Sequence, residues 1–159
     1  LHPRVRRQRQ MCIETAHVHA WGAGATIDLG DSGLNIDGDF IQTRGNRDLG
    51  HANLWTAGLN YGKVDLNKPG SFTLGVHYVR ADAGAYLLGN SALDMTDQLE
   101  YGWDNGTGVK FWVAKAGVAV QKNVELDAYY NFGAKAFDRY DDSTKDPANT
   151  WGVELNYAF

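Results

Sequence analysis

A strict alternation of apolar and polar residues starts at Ala20 and returns, segment after segment, to the end of the chain. Trp151, Val153, Leu155, Tyr157 and Phe159 fall on one side of the last segment, with Gly152, Glu154, Asn156 and Ala158 on the other. A period of two belongs to a strand with two unlike faces and is incompatible with a helix. The same pattern places Val124, Leu126, Ala128, Tyr130, Phe132 and Ala134 against Glu125, Asp127, Tyr129, Asn131, Gly133 and Lys135. It places Trp112, Ala114, Ala116, Val118 and Val120 against Val113, Lys115, Gly117, Ala119 and Gln121. Upstream, Phe72, Leu74, Val76 and Tyr78 share a side, as do Trp55, Ala57, Leu59 and Tyr61. So do Leu34, Ile36, Gly38 and Phe40, and Trp21, Ala23, Ala25, Ile27 and Leu29.

The spacing therefore predicts seven strands of roughly nine to twelve residues, against ~5–6 for an ordinary globular strand and ~9–11 for a strand crossing a bilayer. Short connections (Asp31 to Gly33, Val64 to Gly70, Gln121 to Asn123) alternate with long ones (Arg44 to Ala52, Asp82 to Gly108, Phe137 to Asn149). That is the loop pattern of an up-and-down membrane barrel, and Greek-key sandwiches have no reason to produce it. With 19 Gly, 3 Pro and 12% aromatic residues, the composition suits a turn-rich β protein. The longest run without Asp, Glu, Lys or Arg, Leu49 to Gly62, has 14 residues, too few for a spanning helix.

Alternation alone leaves two readings of the faces. In a soluble sandwich the apolar side is the core. In a membrane barrel it meets lipid while the polar side lines water. Strand length and aromatics near strand ends favour the barrel. The expected lipid-facing or girdle residues are Trp21, Trp55, Tyr61, Phe72, Tyr78, Trp112, Tyr130, Phe132, Trp151, Tyr157 and Phe159. The expected pore-lining residues are Asp37, Asp39, Lys115, Glu125, Asp127 and Glu154, whose acidic excess would favour cations. A blander reading makes the acids solvated positions paired across strands with Lys115, Lys135 or Arg80.

The terminal segment Trp151-Gly-Val-Glu-Leu-Asn-Tyr-Ala-Phe159 resembles the last strand of bacterial outer-membrane barrels. The stretch Ala119 to Phe132 is similar to the penultimate hairpin of porins that carry an S-layer-homology domain. The resemblance covers roughly residues 20–159 and implies an outer-membrane location, outer-membrane lipid as a partner and recognition of the last strand by the assembly machinery. It further implies small hydrophilic solutes as cargo, passive diffusion without a chemical step or cofactor, and a homotrimer as one expected assembly. The chain departs from that family in lacking the S-layer-homology domain and most of the barrel. Its seven strands, against an even number of at least 8 in single-chain barrels, fit a C-terminal portion of seven to eight strands.

Residues 1–19 are expected to be a basic extension outside the barrel. Arg4, Arg6, Arg7 and Arg9 have no lipid-compatible face, and no apolar stretch of signal-peptide type follows them. Without these four, 11 basic residues face 19 acidic ones, which argues against nucleic acid as a partner. The loop from Asp82 to Gly108, with Tyr86, Leu87, Leu88, Leu93, Met95 and Leu99, either folds inward to narrow a pore or stays a plain external loop, the more ordinary of the two. His17 with His19 lacks a third metal ligand, and Asp141, Asp142 and Asp146 lack a calcium-loop spacing. Gly22-Ala-Gly24 is no nucleotide loop, Cys12 has no partner cysteine, and no nucleophile motif appears, so an enzyme is not expected. Two alternatives stand beside the porin: a small outer-membrane barrel serving as anchor or adhesion module, and a soluble β-sandwich binding carbohydrate through its aromatics.

Overall fold

The computed structural model describes residues 19–44, 50–85, 96–138 and 144–158. The arginine-rich head, Cys12, His17, Tyr86, Leu87, Leu88, Leu93, Met95, Asp141, Asp142 and Phe159 lie outside these residues. The described residues form seven strands: β1 (His19–Asp28), β2 (Leu34–Arg44), β3 (His51–Gly62), β4 (Phe72–Ala81), β5 (Gly108–Gln121), β6 (Val124–Phe137) and β7 (Thr150–Tyr157). One α-helix, α1 (Thr96–Asn105), precedes β5, and a 3-10 turn, Gly30–Ser32, links β1 to β2.

Every strand pairs antiparallel with the next, in the order β1-β2-β3-β4-β5-β6-β7. This is the up-and-down order that the alternating connections predict. The sheet is open: β1 and β7 are its two edges and do not pair with each other. The β5–β6 turn is tighter than the sequence suggests. Val124 pairs with Gln121, and Asn123 takes the left-handed conformation (φ 62°) that a tight hairpin demands.

Three face assignments need correcting: Gln121, which pairs with Val124 after a register shift at Val120, and Ala134 and Lys135 of β6. Lys110 pairs with Lys135 and Trp112 with Phe132, so Phe111 faces two residues, Gly133 and Ala134. This is a β-bulge, and Gly133 supplies the positive φ (63°) it requires. Beyond it every side chain of β6 changes face. Ala134, read as outward from the alternation, is buried in the core, while Lys135 leaves the acidic face and joins Lys110 and Arg80 on the other. Neither Lys135 nor Arg80 therefore shares a face with the acids of β6. Arg80 lies 3.8 Å from Asp82 instead.

Candidate functional site

The register joins the apolar sides of all seven strands into one continuous face. At its loop end stand Trp21, Phe40, Trp55, Tyr78, Trp112, Phe132 and Trp151, one aromatic from each strand, with Tyr130 beside Trp151. Neighbouring rings touch: Trp21 with Phe40 (5.3 Å between centroids), Trp55 with Tyr78 (5.2 Å), Tyr78 with Trp112 (4.9 Å) and Tyr130 with Phe132 (5.7 Å). At the turn end Tyr61 meets Phe72 (6.0 Å), and Tyr157 stands on β7. Between these two aromatic rows the face is aliphatic, with Ala25, Ile27, Ile36, Leu59, Leu74, Val76, Ala114, Val118, Leu126, Val153 and Leu155.

This face is open. Leu59, Leu74 and Val76 lie on the third and fourth of seven strands, yet are 49%, 50% and 45% exposed. Burying one large apolar side chain is worth ~1.5–3 kcal/mol. A face of this extent left in water forgoes on the order of tens of kcal/mol. Something apolar must cover it, and no second sheet does so among the described residues.

The other face has two zones. Toward the loops it is a packed core of Leu54, Val79, Ala81, Val109, Phe111, Val113 and Ala134. Helix α1 lies on this core. Its Leu99 is 1% exposed, and its Gln98 amide donates to the Ala148 carbonyl (2.8 Å) and to the Thr150 hydroxyl (3.3 Å). The Tyr101 hydroxyl donates to the Lys145 carbonyl. Helix α1, a described part of the segment between β4 and β5, thus lies on the face that also carries the acids, where a plain external loop was the other reading. Asp97, Glu100 and Asp104 of the helix remain exposed.

Toward the turns the same face is polar. The Asn60 amide donates to the side-chain oxygens of Asn35 (3.0 Å) and Asp37. His77 lies 2.9 Å from the Asn60 oxygen through Nε2 and 3.4 Å from Asp37 through Nδ1. This ties β2, β3 and β4 together by side chains as well as by backbone. Gly58 makes it possible, because a Cβ there would strike the imidazole ring of His77. Asp39 accepts from the Thr56 hydroxyl (3.4 Å). On the other flank Asp127 stands opposite Glu154 and accepts from the Asn156 amide (2.9 Å). Asp127 and Glu125 both reach the space over Gly117.

All six residues read as pore-lining share this face: Asp37 and Asp39 on β2, Lys115 on β5, Glu125 and Asp127 on β6, Glu154 on β7. They form two acidic groups four strands apart, about 19 Å at ~4.8 Å per strand, with Lys115 between them. Of the residues read as lipid-facing or girdle, all except Phe159, which lies outside the described residues, fall on the opposite face. Asp146 accepts the Ala136 amide (3.0 Å), a structural role, and among the described residues no three His, Cys, Asp or Glu side chains gather as a metal site.

Two features escaped the alternation. One is α1, and the other is the polar link from Asp37 to His77. The spacing of Gln98, Leu99 and Gly102 on one helical side was the available trace of α1. For His77 the trace was its position on the same side as Thr73 and Gly75. Among the described residues no helix is long and apolar enough to cross a membrane. Comparison with protein-family models and with curated proteins returned no match.

Proposed function

We propose that this sheet is wall material of an outer-membrane β-barrel of the porin type, passing small hydrophilic solutes along the acidic face with a weak preference for cations. The observation that carries this reading is the inverted burial of the sheet: two aromatic rows with aliphatic side chains between them, all on the open face. Aromatic rings belong at the two membrane interfaces and aliphatic chains in the hydrocarbon between them. From Phe72 to Tyr78 the band covers seven residues of β4, about 20 Å along the strand at ~3.3 Å per residue before side chains are added. An apolar band in such barrels stands ~25 Å tall.

A spanning sheet tolerates no open edge in lipid. The proposal therefore requires the edges of β1 and β7 to be paired, with each other or with further strands. Within such a wall α1 narrows the passage at the loop end, and the two acidic groups give the wider, turn-side part a negative potential that concentrates cations. A barrel of the anchor type would share the outer face and differ in having no conducting lumen.

Conductance across a planar bilayer tests the reading. The reconstituted chain should conduct, with a reversal potential in a salt gradient shifted toward that of the cation. Replacing Asp37, Asp39, Glu125 and Asp127 together by Asn should move that potential toward zero while conductance persists. An unchanged reversal potential would remove these residues from the ion path, and a folded, inserted protein that never conducts would favour the anchor.

A further inference from the structure

Within the seven described strands, the open face carries its charged side chains toward the loop end. At the loop end Arg80, itself paired with Trp55 of the aromatic row, stands directly opposite Lys110, and Lys110 directly opposite Lys135. Directly opposed side chains on one face have Cβ atoms about 4.5–5.5 Å apart, and like charges in that position repel. The bulge at Gly133 creates the row, since without it Lys135 would point to the acidic face. Arg80 is partly compensated by Asp82 at 3.8 Å, and its guanidinium lies 4.4 Å from the centre of the Phe137 ring. Among the described residues no carboxylate lies within 4.0 Å of Lys110 or Lys135. At the turn end the same face offers Tyr61, Phe72 and Tyr157 and no such row.

We infer that Arg80, Lys110 and Lys135 form a binding row for the phosphate of an anionic lipid headgroup at the rim of the apolar band; this rests on the membrane reading above. The chemistry is that of charge complementarity. Three cations crowded on adjacent strands need an anion with several acceptor oxygens, and a phosphate supplies them. The row stands next to Tyr78, Trp112 and Phe132, the level at which headgroups meet an aromatic girdle. A lipid seated there places its phosphate between the cations and its acyl chains along the aliphatic band below. The arrangement also marks the loop end as the side that faces the more anionic leaflet.

Quenching of tryptophan fluorescence tests this with the full chain, because Trp55 stands directly opposite Arg80 and Trp112 is the next residue on the same face from Lys110. The chain is reconstituted in phosphatidylcholine containing a small fraction of either brominated phosphatidic acid or brominated phosphatidylcholine. The phosphatidic acid should associate preferentially. K110Q and K135Q should each lower that preference roughly fivefold, the effect of one cation near an anionic surface. The charge-keeping pair K110R and K135R should retain it. Equal quenching by both brominated lipids, or a preference unchanged in K110Q/K135Q, overturns the row and leaves the membrane reading standing. Loss of the preference on adding millimolar inorganic phosphate would show a site for free phosphate and overturn the headgroup assignment. A protein quenched by neither lipid would overturn the membrane reading, and the row with it.

Discussion

Leu59→Arg and Val76→Arg should each lower the stability of the folded protein in a bilayer by ~2–4 kcal/mol, the cost of a cation at mid-membrane on the lipid side of a barrel. Both side chains project from central strands on the open face, in the aliphatic zone between the aromatic rows. The cost should depend on depth. Arg80 already sits on this face at the loop end, directly opposite Trp55, and near an interface a cation costs only ~0–1 kcal/mol. The effect should also depend on the face. Thr56→Arg projects to the other side, toward Asp39, and should change insertion little. Urea titration of the inserted fraction in vesicles reads all three. If this face were bare surface in water, both arginines would improve solubility and cost almost nothing. If it were the core of a soluble assembly, they would unfold the protein in buffer without any dependence on lipid.

Leu99→Asp should release α1 from the sheet and widen the passage. Leu99 is 1% exposed against a core that includes Val109, Phe111 and Val113. Truncating a buried leucine to alanine costs ~2–5 kcal/mol, and a carboxylate in that seat adds a desolvation cost. The other described contacts of the helix are the close approach of Gly102 to Val109, the packing of Tyr101 at the core's edge, and the hydrogen bonds of Gln98 to Ala148 and Thr150 and of Tyr101 to Lys145. Net hydrogen-bond contributions of ~0.5–1.5 kcal/mol each do not replace the lost core contact. The seven-stranded ladder does not depend on α1 and should survive. The expected result is higher single-channel conductance with unchanged β-sheet circular dichroism. Unchanged conductance with α1 demonstrably released would show that the helix does not limit the passage.

Much of the fold was legible in the sequence because one side of each strand is apolar and the other is not. Trp151 to Tyr157 and Phe72 to Val79 declare their faces residue by residue, and the alternating loop lengths order the strands. The alternation says less where that contrast is lost. Phe111, Trp112 and Val113 are all apolar, because this part of β5 is covered on one side by α1 and presents Trp112 on the other. A strand apolar on both sides gives no alternation to read. Lys135 was misplaced because a bulge adds one residue and reverses every face beyond it, and Gly133 alone does not announce a bulge. Helix α1 is ten residues long and seated mainly by Gln98, Leu99 and Gly102, too short a pattern to stand out from a loop. The acids of the candidate site share one side of the sheet, the side the alternation gives them, and Asp37, which the blander reading pairs with a lysine or arginine, lies against His77 and Asn60.

The central claim is that water and hydrocarbon meet opposite sides of the same strands. Single cysteines placed from Phe72 to Tyr78 of β4, with Cys12 replaced by Ser, test it most directly. In lipid vesicles a probe on positions 72, 74, 76 and 78 should be quenched by a lipid-borne quencher and ignore a water-soluble one. Positions 73, 75 and 77 should show the reverse. A protein that is folded in plain buffer, with the even positions protected from every reagent, would place those side chains in a dry protein interior and contradict the account.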